Sequence, residues 1–304
     1  MIYSSYYHRI CKGLVKKMYK IIEKRELNST VTMMNIEAPL VAKHAEPGQF
    51  IILRVDEDGE RIPLTVADFD RERGTVKIIF QTVGATTYRL AEKKEGEYIA
   101  DFAGPLGVPT ETEGLKSVCI VGGGVGCAIA LPIAAKLHSM GCKVTSIIGF
   151  RTKDLVILED EFRAVSDELV VMTDDGSFGR EGNVCLPLTE MLAAGADFDK
   201  VITIGPLVMM KFVTLATKES KIPCVVSMNP IMIDGTGMCG GCRLTLNRDG
   251  KKITKFACVD GPEFNGYEVD FDEAIQRSGM YRGFERHAYE STCNLFKKES
   301  NNGN

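Results

Sequence analysis

A change of rhythm near Leu115 constrains the fold of this chain more than any other feature. After it, strand-length apolar runs alternate with helix-length ones. KSVCIVGGG leads into VGCAIALPIAAKLHSMG, and KVTSIIGF, ELVVMTDD, DKVITIGP and PCVVSMN follow as further strands, separated by EDEFRAV, VCLPLTEMLAAG and LVMMKFVTLATKE. Strands that are apolar along their whole length and separated by helices predict a parallel sheet covered on both faces. Pro132 is placed one turn into the first helix, where a kink is tolerated. Before Leu115, from about Met18 to Thr112, the runs are almost all strand-like: YKIIEKREL, STVTMMNIE, QFIILRV and TVKIIFQTV, with PGQ, DEDGE and DRERG between them as turns. One short helical stretch, ATTYRLAEKK, interrupts this series. Strands at that spacing predict a small antiparallel barrel.

A third composition begins after Asn229. The stretch PIMIDGTGMCGGCRLTLNRDGKKITKFACVDGPEF is rich in glycine and cysteine and contains one hairpin pattern. It has little apolar surface of its own to bury, so a metal centre is expected to supply stabilisation. Asp234, Cys239, Cys242 and Cys258 have the form D-x4-C-x2-C…C, against the C-x4-C-x2-C…C of plant-type [2Fe–2S] proteins. Gly235, Gly237, Gly240 and Gly241 suit a backbone that must approach a cluster closely. A structural zinc site accepts the same donors, although zinc turns usually come as two short Cys/His pairs. A reactive C-x-x-C normally opens a helix, for which Gly240 and Gly241 are a poor start. Cys224 and Cys293 stand as alternative fourth thiolates, without matching spacing. The chain has ten cysteines; those in apolar runs, such as Cys119, Cys142 and Cys224, read as small buried hydrophobes of a cytoplasmic protein.

Several turns at strand ends have the chemistry of anion sites. In VGGGVG, the residues Gly122, Gly123, Gly124, Val125 and Gly126 link a strand to a helix, where a pyrophosphate meets backbone N–H groups. Cys127 occupies the third glycine position of the dinucleotide fingerprint, so this is not a full match. Asp174 and Asp175 in TDDGS, and Gly205 and Pro206 in IGP, end two further parallel strands, although ordinary turns use the same residues. Arg151, at the end of another strand, either meets a 2′-phosphate or is a solvated charge. In RIPLTVAD, the residues Arg61, Pro63, Leu64 and Thr65 combine an arginine and a hydroxyl on an extended strand, suited to a flavin and its phosphates. Gly84, Thr86 and Thr87 start the short helix, a second anion-ready terminus.

The net charge of −4 argues against nucleic acid as a partner. No apolar run reaches the roughly 18 residues of a membrane helix, and residues 1–17 are basic without the apolar core of an export signal.

The order of RIPLTVAD, GGGVG, IIGFRTKDLVILEDE, TDDGS, IGP, SMNPIMIDGTGMCGGCR and FACVDGPEF resembles the ferredoxin-NADP reductase-like family, over about Met18 to Tyr281. Within it the chain resembles electron-transfer subunits related to that of dihydroorotate dehydrogenase B. It resembles most the small subunits of NADH-dependent reduced ferredoxin:NADP oxidoreductases, also known as sulfide dehydrogenase subunits. The resemblance implies FAD in the barrel, NAD(H) or NADP(H) on the sheet, and a [2Fe–2S] cluster at the C-terminal loop. It also implies a larger flavoprotein partner with its own FAD and [4Fe–4S] clusters, and ferredoxin reached through that complex. Asp234 sets the chain apart from the dihydroorotate dehydrogenase partner, for which four cysteines are implied. The expected division is an extension without fixed structure at 1–17, an FAD barrel at 18–113, an NAD(P) domain at 114–228, a cluster domain at 229–281 and a tail at 282–304. Electron transfer to dihydroorotate dehydrogenase or a sulfide dehydrogenase, and a non-catalytic zinc-stabilised nucleotide-binding module, remain as other readings.

Overall fold

The computed structural model describes residues 18–280. The expectations for 1–17 and 282–304, and Cys293, lie outside the described residues.

Seven strands form the first sheet: β1 (Tyr19–Glu26), β2 (Val31–Glu37), β3 (Phe50–Arg54), β4 (Arg61–Asp70), β5 (Thr75–Gln81), β6 (Tyr98–Ile99) and β7 (Asp101–Leu106). Their spatial order is β6-β1-β2-β5-β4-β3-β7. The two edge strands, β6 and β7, are separated only by Ala100 in the chain, so the sheet curls into a near-closed antiparallel barrel. Two helices, α1 (Pro39–His44) and α2 (Ala85–Glu92), connect its strands.

The barrel strands do not show a clean alternation because several of them bury both faces. On β2, Met34 and Ile36 point into the barrel core, while Val31 and Met33 pack against the following domain. Ala67 of β4 and Ile79 of β5 join that second contact. On β3, Ile51 and Leu53 fill the barrel, while Phe50 and Ile52 pack outward into the core that holds Met232, Cys242 and Cys258.

The second sheet contains β8 (Ser117–Gly123), β9 (Lys143–Phe150), β10 (Glu168–Thr173), β11 (Arg180–Glu181), β12 (Lys200–Ile204) and β13 (Cys224–Ser227), all parallel. Helices α3 (Gly126–Ser139), α4 (Glu159–Ala164), α5 (Cys185–Ala193) and α6 (Leu207–Lys218) connect them. Strand order is β11-β10-β9-β8-β12-β13, so the winding reverses between β8 and β12. The carboxyl ends at that reversal are where open parallel sheets bind ligands. Pro132 sits in the second turn of α3 rather than one turn in, and the helix runs through it to Ser139.

The C-terminal segment forms a hairpin, β14 (Arg243–Arg248) and β15 (Lys251–Phe256), then α7 (Ala257–Asp260), β16 (Glu263–Asn265) and α8 (Phe271–Gly279). Strand β16 adds antiparallel to β13 at the sheet edge. Leu244, Leu246, Ala257, Phe264, Val269 and Phe271 are buried in the same core as Cys119, Val201 and Val226. The segment thus draws its burial from the neighbouring domain, and tertiary packing supplies stabilisation expected from a metal alone.

The linker between barrel and sheet is clamped from both sides. Gln49 Nε2 donates to Gly107 O at 2.8 Å and the Thr110 N–H donates to Pro47 O at 2.9 Å on the barrel side. The Val108 N–H donates to Gly261 O at 2.7 Å, and Thr110 Oγ1 donates to Glu263 Oε1 at 2.6 Å, on the β16 side. Burial pushes the Glu263 carboxyl above its ordinary value of 4.5, opposed by the Thr110 hydroxyl and Lys200. The folded state therefore binds the proton more tightly than the unfolded chain. The resulting stabilisation is complete below the ordinary value and is lost as pH rises through the raised one. Glu263→Gln keeps an acceptor for Thr110 and carries no charge. In denaturant unfolding at a series of pH values, its stability relative to the unsubstituted chain is expected to rise with pH above the glutamate range; a constant gap would contradict the assignment.

Glycines at the sheet reversal serve packing as well as turning. A Cβ on Gly126 would lie 2.4 Å from Ile204 O, whereas Gly124, at φ +55°, has nothing within 4 Å. Gly126→Ala is expected to cost about 1–3 kcal/mol through overpacking. Gly124→Ala costs about 1 kcal/mol through its left-handed backbone alone. Urea unfolding of the two variants checks the order.

Candidate cofactor cavity and cluster loop

A cavity of about 970 Å³ lies between the barrel and the carboxyl edge of the parallel sheet. From the barrel it is lined by Asn28, Thr30, Val31, Phe50, Pro63, Thr65 and Gln81. From the sheet it is lined by Gly123, Gly124, Val125 and Gly126 at the end of β8 and start of α3, by Gly149 to Arg151 at the end of β9, by Asp174 after β10 and by Gly205 and Pro206 after β12. Ser227, at the end of β13, and Met228, Asn229 and Met232 after it also line the cavity, as do Val208, Met209, Phe212 and Leu215 of α6.

Alternation along β4 explains which of its residues reach the cavity. Pro63 and Thr65 share one face and line it, while Leu64 turns the other way and packs on the barrel core. Thr65 pairs in register with Phe50 of β3, which also lines the cavity. Arg61, at the exposed start of β4, makes no ion pair among the described residues and lies outside the lining.

Gly84, Thr86 and Thr87 do not line the cavity. The Thr87 hydroxyl accepts from the N–H groups of Val83 and Gly84, both at 3.0 Å, and donates to Gly84 O at 2.9 Å. Thr86 donates to Glu60 at 3.1 Å. Thr87 is thus occupied in holding the start of α2, and Thr86 is engaged with Glu60.

At the β8–α3 turn the glycines divide into two kinds. Gly124 is open to the cavity, whereas Gly122 packs against Cys127, whose Sγ would lie 2.9 Å from an added Cβ. Gly123 and Gly205 both face Met209, with added Cβ atoms 2.3 Å and 2.7 Å from its side chain. Cys127 is fully buried and fits where the fingerprint has glycine because that position lies in the helix–strand seam. Val125 and Gly126 open α3 without a side-chain cap, and their N–H groups suit a phosphate, whereas the Cys127 and Ala128 N–H groups donate to Gly124 O at 3.1 Å and Val125 O at 3.0 Å.

Asp174 and Asp175 separate likewise. Asp174 lines the cavity. Asp175 accepts from the Ser177 hydroxyl at 2.6 Å and the Ser177 N–H at 3.0 Å, and these bonds hold its carboxyl below the ordinary value. Sequence reasoning missed Ser227 to Asn229, although they end a parallel strand as the other turns do. It also missed Asn28 and Thr30, for which no local pattern existed.

In the C-terminal loop, Cys242 and Cys258 are buried with their sulfurs 3.2 Å apart. They bracket the β14–β15 hairpin, whose pairing of Arg243 with Phe256 brings its two ends together. Burial, and then the neighbouring thiol, push Cys258 up to about 12. Two such thiols ionise together only beside a cation. Asp234 accepts from the Thr236 N–H at 2.9 Å and the Cys239 N–H at 2.8 Å, and these bonds hold its carboxyl below the usual range. Cys239 is exposed and accepts from the Gly241 N–H at 3.5 Å. Gly235, Gly237 and Gly240 have φ of +76°, +82° and +67°.

Among the described residues no three metal-donor side chains converge. The structure brings Cys242 and Cys258 together and joins Asp234 to the backbone at Cys239. In chemistry, a close thiol pair with a third thiol in the same glycine-rich loop matches the thiolates that hold an iron–sulfur cluster, with the Asp234 carboxylate as the oxygen donor beside them. Cys224, weighed as an alternative thiolate, lies on β13 with its sulfur 3.6 Å from Thr214 Oγ1. The loop rests on the barrel, since an added Cβ on Gly235 would lie 2.6 Å from Leu106 and 2.9 Å from Ile52.

A barrel and a parallel-sheet domain sharing one cavity, with a cysteine-rich loop against the barrel, define a ferredoxin reductase-like protein of electron transfer. Residues 229–270 match the iron–sulfur cluster binding domain of dihydroorotate dehydrogenase B. A Thermotoga maritima protein named dihydroorotate dehydrogenase B (NAD(+)), electron transfer subunit homolog, is 48% identical over 271 residues, which cover 89% of this chain and 94% of that protein. An uncharacterized Clostridium beijerinckii protein from the adh 3′ region is 50% identical over 273 residues, 87% of this chain and 91% of that one. A solved structure of an NADH-dependent reduced ferredoxin-NADP oxidoreductase, concerned with flavin-based electron bifurcation, superposes with a TM-score of 0.83 at 45% identity, covering 90% of this chain and 98% of that chain. The chain belongs to the family of dihydroorotate dehydrogenase B electron-transfer subunits and their homologues. No helix among the described residues is long and apolar enough to cross a membrane.

Cys242→Ser and Cys258→Ser are each expected to lower bound iron by at least about half, since each removes one thiolate of a buried pair. Iron and acid-labile sulfide assays on the purified variants check this, and unchanged iron in either would remove that residue from the ligand set.

Proposed function

We propose that this chain is the electron-transfer flavoprotein subunit of a heterodimeric oxidoreductase of the NADH-dependent reduced ferredoxin:NADP type. It passes electrons between NAD(H), FAD and a [2Fe–2S] cluster. The observation that carries this reading is the placement of the cavity. It is bounded by the barrel strand with Pro63 and Thr65 and by the sheet reversal at Gly123 to Gly126. It also includes Met232, which comes two residues before Asp234 in the cluster loop. FAD, when bound, supplies both hydride exchange with a nicotinamide and single-electron exchange with a cluster.

The residues of this chain then bind and orient. Pro63, Leu64 and Thr65 present β4 to the flavin, with Leu64 contributing through its backbone. Beyond the edge of the cavity, exposed Arg61 and the backbone N–H groups of Thr86 and Thr87, which follow Gly84 at the α2 start, are offered to the FAD phosphates, the two threonine hydroxyls being engaged elsewhere. Gly122 to Gly126 and Gly205 to Pro206 shape the sheet edge for the nicotinamide nucleotide, with Asp174 available to its ribose hydroxyls and Asp175 holding the turn. Asp234, Cys239, Cys242 and Cys258 hold the cluster, and Phe50 with Ile52 fixes it against the barrel that borders the cavity. The partner is a larger flavoprotein with its own FAD and [4Fe–4S] clusters, through which ferredoxin is reached, and the complex works in the cytoplasm. The carboxylate at position 234 favours this over a dihydroorotate dehydrogenase complex.

Anaerobic purification followed by absorbance, flavin, iron and sulfide assays tests the reading. One FAD with about two irons and two sulfides per chain is the expected result. Zinc without flavin would overturn it in favour of a nucleotide-binding module.

A further inference from the structure

The loop that follows β9 runs from Arg151 to Leu158 and supplies three residues to the cavity wall, Arg151, Leu155 and Ile157. It belongs to the sheet domain, yet it is held from two directions. On its own domain, the Lys153 N–H donates to Ser177 Oγ at 2.8 Å and the Asp175 N–H donates to Arg151 O at 3.3 Å. From the barrel, Asn28 Nδ2 donates to Leu155 O at 3.3 Å. The loop ends at Leu158 with φ +61°, a left-handed conformation that a bulky side chain adopts only when its surroundings hold it there.

Asn28 is suited to this bridge in a way its neighbours are not. Its Oδ1 accepts from the N–H groups of Thr30 and Val31, both at 2.9 Å, and from Thr30 Oγ1 at 3.2 Å. Two backbone donors fix which amide atom is oxygen, so the NH2 group is the one directed at Leu155. A carboxylate at this position would keep the turn but would have no hydrogen for Leu155 O. Only an amide both shapes the β1–β2 turn and reaches across the domain boundary.

We propose that Asn28 is a positioning residue for the nicotinamide nucleotide. It acts through the Arg151–Leu158 loop, setting how far this wall of the cavity stands from the barrel. The proposal rests on the nucleotide reading of the cavity given above. Asn28 takes no part in the redox step; it determines how well the nucleotide half of the cavity is formed before binding.

The test is Asn28→Asp together with Asn28→Ser, each in the FAD-loaded chain. Asn28→Ser keeps a hydroxyl acceptor for the turn but brings no charge into the cavity that Asn28 also lines. NADH oxidation by ferricyanide and amide hydrogen exchange are the paired measurements on both. The expected result is a KM for NADH raised about fivefold or more, with kcat within about twofold and flavin content unchanged. Exchange is expected to quicken at residues 153–157 and to stay slow at Thr30 and Val31. An unchanged KM, or a fall in kcat and flavin content together with it, would overturn the positioning role. If the unsubstituted chain oxidises no NADH, the nucleotide reading fails, and exchange alone then decides the bridge. Unchanged exchange at 153–157 would overturn that as well.

Discussion

Burial of both faces of the barrel strands holds the molecule together. A barrel needs only its inward side chains to be apolar, and Ile51, Leu53, Met34 and Ile36 meet that need. The outward side chains of the same strands do the remaining work. Val31 and Met33 attach the barrel to the sheet domain, while Phe50 and Ile52 attach it to the cysteine loop. Burying a side chain of this size contributes about 1.5–3 kcal/mol. A few such residues are therefore enough to fix three chain segments around one cavity. The cavity lies where these contacts meet, so its shape depends on packing that is mostly remote from any polar group lining it.

Polar contacts refine this arrangement at the domain boundary. The linker carries hydrogen bonds to Pro47 and Gln49 on one side and to Gly261 and Glu263 on the other. Asn28 makes a longer bridge, at 3.3 Å, to Leu155 O in the cavity wall. Apolar packing is non-directional and tolerates small rotations, whereas a short hydrogen bond to a carbonyl does not. The linker bonds, at 2.6–2.9 Å, therefore fix the register of the two domains, and the Asn28 bridge adds a contact at the cavity wall. The cysteine loop uses the same division, with Gly235 seated against Ile52 and Leu106 while Asp234 orders the backbone at Cys239.

The local character of each region was legible in the chain. The strand-only first third, the alternation after Leu115 and the cysteine spacing each rest on residues close together in sequence, where periodicity and turn chemistry act. The turns at Gly123 to Gly126, Asp174 and Gly205 to Pro206 were legible for the same reason, since any parallel sheet gathers its carboxyl ends on one edge. Their several uses were not. Nothing in GGGVG distinguishes Gly124, open to the cavity, from Gly126, pressed against Ile204. Nothing in TDDGS says that Asp175 is occupied by Ser177 while Asp174 is not.

By itself, then, the sequence determined the fold class, the order of barrel, parallel sheet and cysteine loop, and the spacing of the cysteines within that loop. Each of these follows from hydrophobic period, from glycine and proline punctuation, or from spacing within a single segment. Only the tertiary structure decided that Leu64 faces the barrel core while Thr65 faces the cavity, and that the C-terminal hairpin shares the core of the sheet domain. It also decided that Asn28 meets Leu155, 127 residues further along the chain. Those outcomes depend on which surfaces of separate segments are buried against one another, and no local pattern carries that information.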